Sequence, residues 1–449
     1  MAAGFPFTLG KVVISMVLEI PRLSRRSLLQ TGSVGLLTAV AGPAMAATST
    51  GSGLPGPTPL DRGKVEGGKV VFENWRGEAD RPSPPPPAPL PPGERVGFAI
   101  VGLGRLSLEQ LLPAFAECKM ARPVAVVSGS PEKAKVVAAQ HGIKESSVYA
   151  YDDFDRIAEN PEVQVVYVVL PNGLHRDFVI RAAKAGKHVM CEKPMAVSSG
   201  QAREMIAACK DAGVRLMVAY RCQYEPYNRD VIQRVRSGEM GAARFIEATN
   251  TQVMGSGDQW RFDKALAGGG ALPDIGLYCL NTARAITGEE PVEVFARIFN
   301  PPGDDRYREV EETMGFMLRF PSGTIANCTT SYGAHESKDL RVRLEKGWID
   351  LENAFAYEGQ QMRVAHRGGK AEVIDTVRLP QQNQFALEID HMASCVKENR
   401  VPRTPGEEGL QDHLLMEALY QSAETMAAVA LAPVAGRDTT RGPEPSRQG

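Results

Sequence analysis

Two short segments of the chain hold side chains whose types and spacing suit proton transfer. The first reads Cys-Glu-Lys-Pro-Met and places Lys193 just beyond an apolar run. In the second, three consecutive glycines (268–270) precede Asp274 and Tyr278, whose i, i+4 spacing puts them on one face of a helix. A triple glycine lets the backbone approach another group closely. An enzyme that transfers a hydride needs such groups to move the accompanying proton.

Tyr278 is the predicted carrier of that proton. A phenol has an ordinary pKa of about 10, and the nearby ammonium of Lys193 would stabilise the phenolate. Tyr278 would then accept the proton of a substrate hydroxyl while a hydride leaves the carbon for a nicotinamide. Structural alternatives stay open at this point: Lys193 as a solvated lysine, Asp274 as a helix N-cap and Tyr278 as a core residue.

A glycine-rich turn upstream predicts a dinucleotide site. The apolar run 96–101 leads into Gly-Leu-Gly-Arg and then a helical stretch, with Ser107 where a third glycine usually stands. The glycines permit a tight turn and let backbone N–H groups approach a pyrophosphate at the start of the helix. The predicted contacts from this turn are Gly102, Leu103, Gly104 and Arg105.

The end of the second predicted strand favours NADP over NAD. An acidic residue there would bind the ribose 2′-hydroxyl and repel a 2′-phosphate. This chain instead has Ser128 and Ser130, which offer hydroxyls, and Lys133, which offers positive charge. The alternative is that Lys133 and Lys135 only solvate an exposed helix face, which would leave NAD as the cofactor.

Further candidate residues lie where other strands end. The carboxyl edge of a parallel sheet is where ligands bind, so residues at or just past the ends of the predicted strands 164–170 and 187–190 are candidates for the cofactor. These are Leu170, Asn172, His175, Glu192 and Lys193. Turn and capping roles are the alternatives for Asn172 and His175. The predicted substrate contacts are Arg221, Trp260, Arg261 and Tyr278.

The pattern of apolar runs predicts an α/β chain in two parts. Apolar runs first alternate with helical stretches, which is typical of a doubly wound parallel sheet of the Rossmann type. Consecutive strand-like runs then predict an α+β domain with a large, mainly antiparallel open sheet. The predicted strands are 96–101, 124–128, 164–170, 187–190, 214–219, 243–252, 291–299, 312–320, 323–331, 338–345 and 347–352. The predicted helices are 106–117, 131–141, 152–159, 175–185, 198–210, 225–237, 276–287, 383–398 and 407–430.

The sequence patterns also predict where the chain divides into domains. The predicted divisions are a signal peptide over 1–46, a proline-rich arm over 47–95, a dinucleotide-binding domain over 96–219, a substrate and oligomerisation domain over 220–435 and a tail over 436–449. The late helices of the substrate domain are candidates for packing back on the first domain. The arm, with its run of prolines near 81–92, is typical of extended polyproline. A linker, a strap across a neighbouring subunit and a cover over the cofactor are its alternative roles.

The first fifty residues have the parts of a twin-arginine export signal. Ser24–Gln30 contains paired arginines, Gly32–Ala44 is a modest apolar segment, and Ala-Met-Ala at 44–46 suits a signal peptidase. We therefore predict export by the twin-arginine machinery, in the folded state, to the periplasm. The apolar segment is too short to anchor the protein in a bilayer. A chance Arg-Arg in a tail is the alternative, and Met1 and Met16 are alternative starts.

Charge and cysteine content argue against several other classes. The formal net charge is −2 and no basic run follows the N-terminus, so nucleic-acid binding is not expected. The seven cysteines are scattered and form no C-x-x-C pair, which indicates small buried apolar residues. No His/Cys spacing predicts a metal site.

Taken together, the motifs resemble the Gfo/Idh/MocA oxidoreductase family. The resemblance rests on Ala-Ile-Val-Gly-Leu-Gly104, Val-Ser-Gly-Ser-Pro-Glu-Lys133, Leu-Pro-Asn-Gly-Leu-His175, Cys-Glu-Lys193-Pro-Met and Asp-Ile-Gly-Leu-Tyr278, and it runs from about residue 94 to 430. Most of the family has histidine where Tyr278 stands, whereas tyrosine is typical of its branch of periplasmic glucose–fructose and aldose–aldose oxidoreductases.

That resemblance implies a tightly bound NADP that is recycled in place. One sugar, for example glucose, would be oxidised to its lactone, and a second, fructose or an aldose, would be reduced to an alditol. It also implies a homo-oligomer, a dimer or a tetramer, built with the open sheet and the arm. Two alternatives remain: an ordinary NADP-dependent sugar dehydrogenase with a dissociable cofactor, and a non-catalytic sugar- or nucleotide-binding sensor.

Overall fold

A parallel sheet of six strands organises the first part of the protein, in a computed structural model that describes residues 63–72, 94–255 and 259–445. The strands, counted from a separate hairpin, are β1 (Lys64–Glu66), β2 (Lys69–Val71), β3 (Val96–Val101), β4 (Ala121–Val127), β5 (Val148–Tyr149), β6 (Val165–Val168), β7 (His188–Glu192) and β8 (Leu216–Ala219). The sheet has the order β5-β4-β3-β6-β7-β8 with every neighbouring pair parallel. The order reverses between β3 and β6, where ligands of such sheets bind beyond the carboxyl ends.

Helices connect these strands near the predicted places, although the predicted helix over 152–159 is a 3-10 turn and that over 106–117 is irregular. They are α1 (Pro131–Gln140), α2 (Asn172–Lys184) and α3 (Ser199–Asp211), together with the 3-10 turns Glu145–Ser147 and Phe154–Glu159. The predicted helix over 106–117 is instead a π-helical turn, Ser107–Leu111, that continues into a short α-helical turn, Leu112–Ala114. Pro113 has no N–H to donate to the carbonyl of Glu109, so an ordinary helix is interrupted there.

The second part of the protein is built on a nine-stranded sheet. Its strands are β9 (Ala243–Thr251), β10 (Glu293–Phe299), β11 (Thr313–Arg319), β12 (Ile325–Ser331), β13 (Ser337–Leu344), β14 (Gly347–Glu352), β15 (Gln361–Gly368), β16 (Ala371–Val377) and β17 (Val429–Ala430). Their order is β16-β15-β14-β13-β9-β12-β11-β10-β17. Within this sheet β9 and β12 run parallel and the other neighbouring pairs are antiparallel. The predicted fold class is confirmed.

The last three strands of this sheet were not predicted. Strand β16 is exposed along almost its whole length, so it lacks the alternation of apolar and polar residues that marks a half-buried strand. The helix expected over 407–430 ends at Thr425, because Met426 takes a left-handed conformation with a φ of 56°. The chain then forms β17, which pairs with β10.

Helices of the second part include one, near the carboxyl end, that packs on the first part. They are α4 (Pro226–Ser237), α5 (Lys264–Ala267), α6 (Leu277–Thr287), α7 (Gln384–Lys397) and α8 (Gly406–Thr425), with a π-helical turn, Leu272–Gly276, before α6. Phe385 and Ile389 of α7 pack in one buried cluster with Phe98 and Ile100 of β3. One face of the parallel sheet is therefore completed by a helix from near the carboxyl end, which brings α7 beside the ends of β6 and β7.

A small part of the proline-rich arm lies on the first domain. The hairpin of β1 and β2 contacts α1, where the Gln140 side chain donates a hydrogen bond to the Gly68 carbonyl over 3.3 Å. The Arg105 guanidinium lies 5.3 Å from the centre of the Phe72 ring. The predicted signal peptide and the proline run near 81–92 lie outside the described residues.

The cysteines behave as predicted from their spacing. All seven are buried and none is in a disulfide, so they act as small apolar residues. Across the described ranges, no helix combines the length and the apolar character needed to cross a bilayer.

Candidate active site

The glycine-rich turn after β3 leaves its backbone open to a ligand. Gly102 has a φ of 95°, and a Cβ there would lie 2.2 Å from the carbonyl oxygen of Val169, so no other residue fits. A Cβ on Gly104 would meet nothing within 4 Å. The Ser107 hydroxyl donates to the Gly102 carbonyl over 2.6 Å, and so braces the turn where a third glycine usually packs. These features fit a dinucleotide pyrophosphate bound by backbone N–H groups.

The two other residues of the turn have different surroundings. Leu103 is buried in the core, so only its backbone faces the site. Arg105 forms an ion pair with Glu109 at 3.0 Å and stacks on Phe72 of the arm. Arg105 therefore links the turn to the described part of the arm.

Lys133 is a buried lysine at the first turn of α1. The Ser128 hydroxyl accepts a hydrogen bond from the Ser130 N–H over 3.1 Å, and Ser130 in turn caps α1 by accepting from the Lys133 N–H. Lys133 is 1% exposed, and burial lowers its pKa to about 8. Lys135, in contrast, is exposed and forms an ion pair with Glu145. The solvated-face alternative therefore describes Lys135 but not Lys133.

Asn172 and His175 fasten the loops at the carboxyl edge. The Asn172 amide donates to the carbonyl of Ala267 over 2.8 Å. His175 is fully buried, and its ring nitrogens lie 2.8 Å from the Leu170 carbonyl and 3.0 Å from the Pro194 carbonyl. Burial lowers the pKa of His175 to about 4, while the hydrogen bonds to these backbone carbonyls raise it. Both ring nitrogens face protein carbonyls, which gives His175 a structural position between the Leu170 loop and the Lys193 turn.

Lys193 lies just past β7 and reaches the second domain. Its Nζ donates to the Asp274 carbonyl over 2.6 Å and lies 3.5 Å from the Asp274 carboxylate. The same Nζ is 4.5 Å from the centre of the Tyr278 ring. Burial lowers the pKa of Lys193, while the charges of Asp274 and Glu192 raise it. The side chain is only 11% exposed, so the solvated-lysine alternative does not describe it.

The Asp274 carboxylate is held by three groups. In addition to Lys193, it accepts from Arg261 Nε over 2.8 Å and from the Tyr332 hydroxyl over 2.9 Å. The N-cap of α6 is Gly276, and no side chain caps this helix, so Asp274 is not an N-cap. Tyr332 was not predicted, because it follows β12 and no local spacing connects it with Asp274. Arg261 also stacks on the neighbouring Trp260, 4.5 Å from the ring centre, which places this predicted substrate pair beside Asp274.

Arg221 binds the hydroxyl of Tyr278. Its Nε donates to that hydroxyl over 3.0 Å, and its other nitrogens donate to Gln384 Oε1 over 2.5 Å and to the Phe355 carbonyl over 2.7 Å. Arg221 is 4% exposed. It was predicted to hold substrate hydroxyls, and in the structure its guanidinium holds the phenol. Burial raises the pKa of Tyr278 well above its ordinary value, and the Arg221 charge opposes this.

The triple glycine permits close contacts, as predicted. A Cβ on Gly269 would lie 2.0 Å from the Tyr420 hydroxyl oxygen, and one on Gly270 would lie 1.9 Å from the Glu311 carbonyl oxygen. The buried Glu311 carboxylate accepts from the N–H groups of Gly270 and Leu272 over 2.9 and 2.8 Å. The loop that leads to Asp274 is thereby fixed by a carboxylate that only glycines can approach.

The arrangement gathers a phenol, an ammonium, a guanidinium and a carboxylate at the edge where β3, β6 and β7 end. No group of three or more His, Cys, Asp or Glu side chains in the described part of the chain could hold a metal ion. Two cations beside a phenol favour its ionised form, which suits the phenol for general acid–base chemistry. The predicted set Lys193, Asp274 and Tyr278 is brought together in space.

Two family models match the chain. One is described as "Oxidoreductase family, NAD-binding Rossmann fold" and matches residues 96–220. The other, "GFO/IDH/MocA C-terminal domain", matches residues 228–350.

Similar proteins include enzymes whose names specify sugars. The crystal structure of aldose-aldose oxidoreductase from Caulobacter crescentus, complexed with glycerol, is 44% identical, with a TM-score of 0.72, and the match covers 75% of this chain and 100% of that one. D-xylose 1-dehydrogenase [NADP(+)] from Haloarcula marismortui is 32% identical over 342 residues, 75% of this chain and 93% of the relative. 1,5-Anhydro-D-fructose reductase from Ensifer adhaerens is 31% identical over 352 residues, 74% of this chain and 98% of the relative.

Proposed function

This chain belongs to the Gfo/Idh/MocA oxidoreductase family, and on that premise we propose that it is an NADP-dependent sugar–sugar oxidoreductase that keeps its cofactor bound. It oxidises an aldose such as glucose to the lactone and reduces a second sugar, fructose or an aldose, to an alditol. The observation that carries this proposal is the Tyr278 hydroxyl, held by Arg221 at 3.0 Å with Lys193 4.5 Å from its ring. The similarity to the aldose-aldose oxidoreductase supports the choice of substrates.

Each residue of the site has a separate role in one catalytic cycle. Bound NADP would accept a hydride from one sugar carbon and return it to the carbonyl carbon of another. Tyr278 takes the hydroxyl proton of the first sugar as its C–O bond becomes a carbonyl, and returns that proton to the oxygen of the second. Lys193 and Arg221 stabilise the phenolate that is present before the first proton transfer and again after the second. Asp274, fixed by Arg261 and Tyr332, holds Lys193 in place.

The choice of NADP rests on Lys133 and makes a prediction. We expect Lys133→Met to weaken NADP binding by about tenfold to a hundredfold with little effect on NAD, since a charge-assisted hydrogen bond to a phosphate contributes about 1.5–3 kcal/mol. Because the pKa of Lys133 in the free protein is about 8, NADP should bind more weakly as the pH rises through that value. Fluorescence titration of nucleotide-stripped protein measures both effects. Lys135→Met, on the exposed side of the same helix, is the control, and equal losses for both variants would contradict the assignment.

Location and assembly are part of the same proposal. We propose export in the folded state by the twin-arginine route to the periplasm, with no membrane anchor after cleavage and no nucleic-acid partner. A retained cofactor suits that compartment, which offers no pool of free nicotinamide nucleotide. We also propose a dimer or tetramer. Support for assembly comes from exposed large apolar residues on the second sheet, namely Phe245, Ile298, Phe299 and Ile374.

The proposal is tested by turnover without added cofactor. Purified protein, extensively desalted, is given glucose and fructose, and acid release and alditol formation are measured. We expect both products in equal amounts, because every hydride taken from one sugar reaches the other. Activity only after NADP is added would replace the proposal with the ordinary dehydrogenase. Nucleotide or sugar binding without turnover, across several aldose pairs, would favour the non-catalytic sensor.

A further inference from the structure

A buried acidic cluster lies behind Lys193. It consists of Tyr167 on β6, Glu192 at the end of β7 and Glu388 on α7. Tyr167 and Glu388 are both 0% exposed and Glu192 is 8% exposed. Two carboxyl groups in such a place are costly unless protons and hydrogen bonds compensate them. None of the steps described above uses Tyr167 or Glu388.

The hydrogen-bond geometry shows which carboxyl carries a proton. The Tyr167 oxygen lies 2.7 Å from Glu192 Oε1 and 3.5 Å from Glu388 Oε1. A phenol has one proton to donate, and the shorter contact takes it to Glu192. The same proton cannot also serve the 3.5 Å contact, so Tyr167 leaves Glu388 without a donor. The second oxygen of Glu388 is buried and has no hydrogen-bond partner among the described residues, which an ionised carboxylate would not tolerate. Glu388 is therefore the neutral acid and Glu192 the carboxylate.

We propose that Tyr167 and the neutral Glu388 are positioning residues that keep Glu192 ionised beside the catalytic Lys193, an inference that rests on the proposed function of Lys193 and Tyr278. The three groups form one chain: the neutral Glu388 lies 3.5 Å from the Tyr167 oxygen, and Tyr167 donates to Glu192. The chain ends next to Lys193, whose backbone N–H lies 3.3 Å from Glu192 Oε2.

The charges that face the chain agree with this assignment. The positive charges of Lys193 and of Arg221, in the turn after β8, act on Glu192. Burial raises the pKa of Glu192, whereas the Tyr167 hydrogen bond and Lys193 lower it. Burial raises the pKa of Glu388 well above its ordinary value, the Glu192 charge raises it further, and Arg221 opposes both.

Two further groups face Glu388 from the segment after β8. Cys222 and Tyr224 lie there, and burial raises the pKa of both. Both are neutral and bring no charge that would ionise Glu388. The pair of carboxyls therefore carries a single negative charge, on the member nearer the site.

That charge has a function at Lys193. Burial alone lowers the pKa of Lys193, and the Glu192 carboxylate is one of the groups that raise it again. An ammonium at Lys193 in turn favours the phenolate of Tyr278. Loss of the Glu192 charge would therefore weaken proton transfer without altering any group that touches the sugar.

The test is the pH profile of kcat in two matched variants. In Tyr167→Phe, Glu192 loses the hydrogen bond that lowers its pKa, so it gains a proton at a higher pH than in the parent. We expect the acidic limb of kcat to move up by about one pH unit. In Glu388→Gln a neutral side chain of nearly the same shape stays beside Tyr167, so the limb should stay in place and kcat should remain within about twofold. A purely structural role would lower kcat or thermal stability in Tyr167→Phe and leave the limb where it was, which would overturn the inference.

A second measurement does not depend on turnover. The infrared difference spectrum between the parent and Glu388→Gln, at neutral pH, should contain the carbonyl band of a protonated carboxyl. Absence of that band would overturn the neutral acid even if the enzyme is fully active. Presence of the band in a protein without sugar turnover would support the neutral acid and place the failure in the proposed function instead.

Discussion

Replacing Tyr278 by phenylalanine is expected to remove sugar turnover and to leave the nucleotide bound. The variant lacks the hydroxyl that accepts and returns the proton, and a positioned acid–base group contributes about 10²–10⁴-fold to a rate. The ring itself remains between Lys193 and Arg221, whose cationic groups both lie 4.5 Å from its centre. The pocket should therefore keep its shape.

The measurement is kcat for the two-sugar reaction together with the nucleotide content of the purified variant. Arg221 Nε loses its acceptor at Tyr278, and an unsatisfied buried donor costs about 1–3 kcal/mol, so a lower Tm is expected as well. Tyr307→Phe is the matched control, because the Tyr307 hydroxyl is buried in the second domain and has no hydrogen-bond partner in the described ranges. Turnover near the parent rate in Tyr278→Phe would show that another group moves the proton.

Replacing Lys193 by glutamine is expected to have the second largest effect. The change removes the charge next to the Tyr278 ring and shortens the side chain that donates to the Asp274 carbonyl. Without that cation the phenolate of Tyr278 is less stable and its pKa rises, so sugar oxidation should need a higher pH. We expect kcat at neutral pH to fall by about 10²-fold or more, with partial recovery as the pH rises.

Stopped-flow measurement of the oxidation half-reaction across pH separates this effect from weaker binding. The alkaline shift is the diagnostic result, since a loss of sugar affinity alone would change KM and not the pH dependence. Lys184→Gln, at the exposed end of α2, controls for loss of a positive charge in general. An unchanged pH profile in Lys193→Gln would remove Lys193 from the proton-transfer chemistry.

The sequence was most informative where chemistry is local. Some features can be recognised from a few neighbouring residues. They are the glycine with positive φ at a strand end, the serine cap before Lys133 and the three glycines before Asp274. These local features predicted the glycine turn and the close approach of the glycine loop. The alternation of strands and helices predicted both sheets, because burial on one or both faces fixes the period of apolar residues.

Contacts between distant segments could not be predicted in this way. Gln384 and Phe355, which accept the hydrogen bonds of Arg221, lie far along the chain from it. The partners of Asp274 and Glu192 include Tyr332 and Tyr167, and no spacing relates these residues to one another. Such pairs arise from the docking of α7 and the second sheet, which depends on the whole fold.

The position of α7 also has a consequence for biosynthesis. Phe98 and Ile100 share a buried cluster with Phe385 and Ile389, so a nascent chain that has just released the six parallel strands from the ribosome still exposes part of that face. Contacts of such long sequence separation slow folding and prolong the exposure of apolar surface. The first domain can be completed only when nearly the last segment has been translated, and until then part of this apolar face stays in contact with water.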